Sequence, residues 1–146
     1  MKICIISSCG GHLTEVRALK SVYEQMPHFY VLDDRVLLSQ DMADRTYFVY
    51  HSERDWLFFL NLWQAWRILR RERPGCILST GAGVVVPFAL VGKLLGIPII
   101  YIETLTRAKR PSLTGRVMYH LADRFFYQWK TLQPYFPNAI YGGPVL

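Results

Sequence analysis

The sequence predicts an α/β fold: a Rossmann-like open, mainly parallel sheet with helices on both faces. Three observations carry this. The runs Ile3-Cys4-Ile5-Ile6, Cys76-Ile77-Leu78 and Ile97-Pro98-Ile99-Ile100-Tyr101-Ile102 are continuously apolar, as strands buried on both faces of a parallel sheet must be. Strand-like and helix-like segments alternate, and two of the strands lead through glycine turns into stretches of helical spacing. The chain has 146 residues, 51% of them hydrophobic and 19% charged, which suits a single domain, 1–146, with a sizeable core.

The elements follow in order. Residues 2–7 read as a strand, and Leu13, Val16, Leu19, Lys20 and Tyr23 then recur at helical spacing until Pro27 ends the pattern. Residues 29–32 and 46–50 are the next strands, joined by a polar loop over 33–45, and a long helical stretch runs over 54–71. Residues 76–79 form a short buried strand. The turn Thr80-Gly81-Ala82-Gly83 opens a helix over 86–95, which Gly96 and Pro98 close. A strand over 97–102, a helix over 113–121 and short strands over 124–127 and 139–141 complete the chain. No internal repeat or low-complexity segment interrupts it.

A formal charge of +6 and a pI near 9.4 favour anionic partners, whether phosphates, acidic lipid or nucleic acid. The basic residues line no recognition element and no aromatic RNA-binding signature is present, so nucleic acid is the weakest of these. Cys4, Cys9 and Cys76 are odd in number and match no metal-ligand spacing, which points to reduced thiols in a cytosolic compartment. The apolar run after Lys2 spans about five residues, too few for a signal peptide or a membrane span.

In an open parallel sheet, ligands bind beyond the carboxyl ends of the strands, where both Gly10-Gly11 and Gly81-Ala82-Gly83 fall. Glycines let backbone approach a ligand, and the free N–H groups of the following helix attract phosphate. A phosphorylated ligand is the natural expectation. The dinucleotide fingerprint G-x-G-x-x-G is absent: the turn reads S-S-C-G-G-H, so Asp33 and Asp34, which end the next strand, make a poor ribose site. His12 falls in the first helical turn, where the dipole disfavours protonation and keeps the imidazole available as a base. Its other reading is a residue that only ties down the turn.

The segments "SSCGGHLTEV", "STGAGVVVPFALVGKLLGIPIIYIE", "SLTGRVMYHLADRFFYQW" and "YGGPVL" together resemble the acceptor-binding, membrane-associating subunit of two-part GT-B glycosyltransferases. These are bacterial polysaccharide proteins similar to the membrane-anchoring subunit of the dolichol-pathway N-acetylglucosaminyltransferase. The resemblance runs in order over nearly the whole chain. A more distant likeness is to the peptidoglycan N-acetylglucosaminyltransferase, whose Gly-Gly-x-Gly-Gly-His turn has Ser7 and Ser8 here in place of the first glycine pair.

The resemblance implies the N-terminal half of a GT-B enzyme, with a separate subunit supplying the sugar-nucleotide site. It implies inversion at the anomeric carbon, no metal or other cofactor, and a polyprenyl-diphosphate-linked acceptor. Carried over by position, Ser8, Gly10, Gly11, Thr14, Gly81, Ala82, Gly83 and Arg107 face the acceptor's diphosphate and sugar. His12 is then the candidate general base, and Glu103 orients His12 or binds a sugar hydroxyl. Glu103 also reads as a plain carboxylate at a strand end. Arg107, Lys109 and Arg110 are basic residues suited to the diphosphate, Arg107 first because it lies nearest Glu103.

An acceptor in lipid requires contact with a membrane, expected here to be peripheral and on the cytoplasmic face. The uncharged run over 56–66, about eleven residues, is too short to span a bilayer. At helical spacing Trp56, Phe59, Leu60, Trp63 and Trp66 share one arc, with Arg67 and Arg70 at its end. Phe58, Leu62, Ala65 and Leu69 form a second. The second arc suits the sheet, and the first suits an anionic membrane interface, the core or a partner. Two other functions compete with the half-enzyme: a docking scaffold without a catalytic role, and a free-standing nucleotide-binding enzyme.

Overall fold

A computed structural model describes residues 1–35, 42, 45–51 and 55–146. The elements are β1 (Ile3–Ser7), α1 (Gly11–Ala18), α2 (Lys20–Tyr23), β2 (His28–Asp33), β3 (Thr46–Val49), α3 (Leu57–Glu72), β4 (Cys76–Ser79), α4 (Val85–Leu94), β5 (Ile99–Ile102), α5 (Leu113–Leu121), β6 (Arg124–Tyr127), a 3₁₀ turn (Lys130–Leu132) and β7 (Ile140–Tyr141). Most of the polar loop expected over 33–45, and the expected helix start at Arg54, lie outside the described residues.

The strands form one sheet in the order β3-β2-β1-β4-β5-β6-β7, every pair parallel. β1 and β4 are buried along their whole length, as their unbroken apolar runs require. The chain winds outward from β1 through β2 to β3, then crosses to β4 and winds the other way. The switch point therefore lies between β1 and β4, which pair from Ile3 with Cys76 to Ile6 with Ser79.

Helices cover both faces, unequally. Ile3 and Ile5 of β1 pack with Leu13, Val16 and Tyr23 of α1 and α2. Cys4 and Ile6 point the other way, into a larger core with Ala65, Leu69, Phe88 and Met118 of α3, α4 and α5. Cys4 and Cys76 are buried and unbonded, and burial pushes the Cys4 thiol well above its ordinary range. They act as small apolar fillers.

Most boundaries shift by a residue or so from the sequence expectation, and two of the differences have clear local reasons. The helix expected through Tyr23 breaks at Leu19 (φ −87°, ψ 6°), where three-residue hydrogen bonds tighten the turn. The break lets Tyr23 bury its ring and donate to the Val16 carbonyl at 3.2 Å. β5 begins at Ile99 because Pro98 has no N–H to give the ladder.

Candidate active site

Both glycine turns end side by side at the switch point, because β1 and β4 are neighbours and both run toward it. Gly10 takes a left-handed φ of +79°, which frees its carbonyl to accept from the Leu13 and Thr14 amides and start α1. The second turn is tighter. Gly81 has φ +134° and Ala82 φ +73°, the latter a conformation a residue with a Cβ adopts only under strain. The Ser79 hydroxyl braces it, accepting from the Gly81 N–H at 3.2 Å.

His12 leaves α1 and lies across this second turn. Its Nδ1 stands 3.2 Å from the Thr80 carbonyl, and the Thr80 hydroxyl donates back to the His12 carbonyl at 2.8 Å. A carbonyl can only accept, so Nδ1 carries a proton, and in the neutral ring the lone pair is on Nε2. That is the tautomer a general base needs. His12 lines a cavity of about 720 Å³ together with Ala82 and Gly83. Thr104, Thr106 and Arg107, on the loop after β5, line the same cavity.

The other expected site residues divide. Gly10 and Gly11 are exposed beside His12, and Gly81 lies beneath its ring. Ser8 is buried outside the cavity lining, with its hydroxyl 3.5 Å from the Cys9 carbonyl, and Thr14 turns its hydroxyl back to the Gly10 carbonyl at 3.4 Å. Lys109 and Arg110 are exposed and absent from the cavity wall.

Glu103 stands elsewhere than a partner of His12 would. It is 0% exposed, and its carboxylate accepts from the Thr104 and Ser112 amides at 3.1 and 3.0 Å and from the Ser112 hydroxyl at 2.7 Å. Ser112 in turn caps α5, accepting from the Gly115 N–H at 2.8 Å. His12 is oriented by the Thr80 carbonyl, and Glu103 holds the start of α5. Burial, with the charge of Glu103 beside it, pushes the Tyr101 hydroxyl well above its ordinary pKa.

Sequence reasoning missed two features. His51, just after β3, also lines the cavity, and its Nδ1 lies 3.1 Å from the fully buried carboxylate of Asp33 and 2.8 Å from the Arg35 guanidinium. Glu15 of α1 is 1% exposed and makes three hydrogen bonds beneath the β5 loop. Only its place on the apolar side of α1, next to Val16, hints at this in the sequence.

The cavity opens toward α3. Phe58, in the first turn of that helix, joins Val86, Leu113 and Val117 in an apolar wall. Phe58 meets Phe59 edge to face at 5.9 Å, and there a stripe of exposed rings begins: Trp56 is 68% exposed, Phe59 71%, Trp63 59% and Trp66 45%. The guanidinium of Arg67 stacks on Trp63 at 5.5 Å, and that of Arg70 on Trp66 at 5.3 Å. Of the second arc, Ala65 and Leu69 are buried and Leu62 half-buried against the core as expected, whereas Phe58 lines the cavity; Leu60 of the first arc is half-buried rather than exposed with the rings. Among the described residues no helix is long and apolar enough to cross a membrane.

The fold is shared with solved structures. MurG of Acinetobacter baumannii superposes with a TM-score of 0.75 at 15% identity, over 89% of this chain and 42% of that one. A UDP-N-acetylglucosamine 2-epimerase from Rickettsia bellii gives 0.78 at 16% identity, over 99% and 45%. This chain thus spans less than half the length of either and has the Rossmann-like architecture of one half of a GT-B enzyme.

Among curated proteins, the mouse UDP-N-acetylglucosamine transferase subunit ALG14 is 28% identical over 183 aligned positions, covering 100% of this chain and 83% of the relative. The human protein of the same name is 26% identical with the same coverage. The Candida albicans protein is 39% identical over 79 residues, 50% of this chain and 36% of the relative. Residues 56–145, the exposed aromatic helix through the last strand, match the family described as oligosaccharide biosynthesis protein Alg14 like, and the chain belongs to that family.

Proposed function

We propose that residues 1–146 form the single acceptor-side domain of a two-component glycosyltransferase. A separate subunit holds the nucleotide sugar, UDP-N-acetylglucosamine by analogy with the named relatives, and this chain holds a polyprenyl-diphosphate-linked sugar in polysaccharide assembly. The observation that carries the reading is His12, its Nδ1 held by the Thr80 carbonyl, lining one cavity with Arg107. In the proposed step Nε2 takes the proton from an acceptor hydroxyl as its oxygen bonds to the anomeric carbon. The nucleoside diphosphate leaves toward the partner subunit with inversion. Arg107 and the backbone N–H groups around Gly83 suit the acceptor's diphosphate.

The aromatic stripe of Trp56, Phe59, Trp63 and Trp66, with Arg67 and Arg70 at its end, is proposed to rest on the anionic cytoplasmic face of a membrane as a peripheral contact. Phe58 joins this stripe to the cavity, so a lipid-linked acceptor can enter without leaving the interface. On the face of the sheet that α1 and α2 cover, none of the described helices extends over β4 to β6. The apolar groove left there, about 440 Å³ and bordered by Leu19, Val22, Leu78, Ile102, Phe126 and Val145, is proposed as a contact for the partner subunit.

The test is transfer from UDP-sugars to a polyprenyl diphosphate sugar by this chain co-expressed with its partner subunit, beside the chain alone and His12→Ala. A catalytic base predicts activity only in the pair and a loss of roughly 10²- to 10⁴-fold in His12→Ala with the complex intact. Undiminished turnover in the variant would leave this chain an acceptor-binding and docking subunit.

A further inference from the structure

The loop after β5 brings Thr104, Thr106 and Arg107 to the cavity, and its shape is imposed from beneath by a residue that never reaches the cavity wall. Glu15 faces inward from α1. Its Oε1 accepts from the Thr104 hydroxyl at 2.7 Å and the Leu105 N–H at 3.0 Å, and its Oε2 from the Gln128 amide at 3.1 Å. The same Gln128 nitrogen donates to the Glu103 carbonyl at 3.0 Å. Its oxygen accepts from the Val145 N–H at 2.9 Å.

The other side of the loop is held as firmly. The Trp129 indole donates to the Leu105 carbonyl at 2.7 Å, and the Thr131 hydroxyl donates to the Ala108 carbonyl. Leu105 thus has its N–H fixed by Glu15 and its C=O by Trp129, immediately before Thr106 and Arg107. The Thr104 hydroxyl also accepts from the Thr106 N–H at 3.4 Å, and the Arg107 N–H donates to the Thr104 carbonyl at 3.1 Å.

Stability alone is a poor reason for a carboxylate here. Burying one carries a large desolvation penalty, which an apolar residue at this buried point of α1 would avoid. What the carboxylate adds is direction: three donors from two separate segments converge on one fixed group. We infer that Glu15 is a positioning residue, acting through Thr104 and Leu105 to hold Thr106 and Arg107 in register with His12. Held this way, the loop needs no ordering when an anionic acceptor arrives, which lowers the cost of binding. The kinetic part of this inference rests on the acceptor-side reading above.

The experiment uses the co-expressed complex with Glu15→Gln and, separately, Trp129→Phe, which removes the indole donor at a surface position and leaves the fold intact. Whichever way the amide in Glu15→Gln turns, its nitrogen faces a donor, the Gln128 nitrogen on one side or the Leu105 N–H on the other, and the bonds its oxygen keeps lose the carboxylate's charge, so the network weakens without a change in volume. Two quantities are read: hydrogen exchange over residues 104–108, and kcat and KM for the lipid-linked acceptor.

The inference expects exchange in the loop to accelerate by roughly ten- to a hundredfold in Glu15→Gln, while β1 and β4 stay protected. It expects acceptor KM to rise by a similar factor with kcat within about twofold, and a smaller change of the same kind in Trp129→Phe. Unchanged loop exchange in both variants would overturn it. So would a lowered melting temperature with KM unmoved, the mark of a merely structural carboxylate. If the wild-type complex transfers no sugar, the acceptor-side reading fails, and loop exchange still decides whether Glu15 sets the loop.

Discussion

The imidazole of His12 lies so close over Gly81 that a Cβ at position 81 would stand 2.7 Å from both its Nδ1 and its Cε1. The contact joins α1 to the turn before α4, and the Thr80 carbonyl fixes the ring in the same place.

Gly81→Ala tests that contact. The φ of +134° is one an alanine adopts only under strain, and the added methyl must push the ring aside. The expected result is a loss of about 1–3 kcal/mol in stability, with transfer falling by roughly a hundredfold because the ring moves. Denaturant unfolding and steady-state turnover of the same variant separate the two effects. Full activity would show that the position of the ring is immaterial.

Glu103 supports α5, so its removal should register first as stability. Glu103→Ala leaves the Ser112 and Thr104 amides unpaired and is expected to cost about 2–4 kcal/mol. Gly115→Ala offers an independent check, since its Cβ would collide with the Glu103 carboxylate, with an expected loss of about 1–3 kcal/mol. A folded Glu103→Ala with native melting and lost turnover would return Glu103 to the role of a sugar ligand.

The aromatic stripe predicts membrane contact without a stability role. Replacing Trp56, Phe59 and Trp63 by serine should leave unfolding within about 1 kcal/mol of wild type, because these rings are exposed. Sedimentation with anionic vesicles should fall by at least roughly tenfold. Arg67→Glu with Arg70→Glu should weaken binding to anionic vesicles and leave neutral ones unaffected. Equal sedimentation of all variants would assign the stripe to a protein contact.

A pH dependence follows from the other end of the sheet, where Lys2 lies 2.8 Å from Glu72 and the Tyr47 hydroxyl donates to the same carboxylate. The Lys2 contact, then the Tyr47 hydrogen bond, hold the Glu72 carboxyl below its usual range, and that hydrogen bond raises Tyr47. A lowered carboxyl contributes stability above its unfolded pKa of about 4.3, and the contribution disappears as pH falls through the folded value. Tyr47 contributes below about pH 10 and ceases to as pH rises through its raised value. Glu72→Gln should flatten both limbs of the stability profile, each by about 1 kcal/mol or less for partly exposed groups. An unchanged acid limb would show that the contact is inert.

Much of this fold was legible because periodicity survives in one dimension. The unbroken apolar runs of β1 and β4 announce strands buried on both faces, and Gly10-Gly11 and Gly81-Ala82-Gly83 mark where they turn into helices. The two arcs of α3 were readable in the same way, since helical spacing alone separates Trp63 from Leu69. The break at Leu19 was not, because it depends on where Tyr23 finds its hydrogen bond.

By itself the sequence determined the class of fold, the end of the sheet where the candidate site is proposed, and the residues at the two glycine turns. These depend on local spacing and on backbone freedom at single positions. The tertiary structure alone decided which side chains meet. It gave His12 to the Thr80 carbonyl, Glu103 to the cap of α5, and Glu15, from 89 residues away in sequence, to the loop under Arg107. Hydrogen-bond partners brought together by neighbouring strands have no period to read, because the ordering of strands in a sheet is settled by packing over the whole chain.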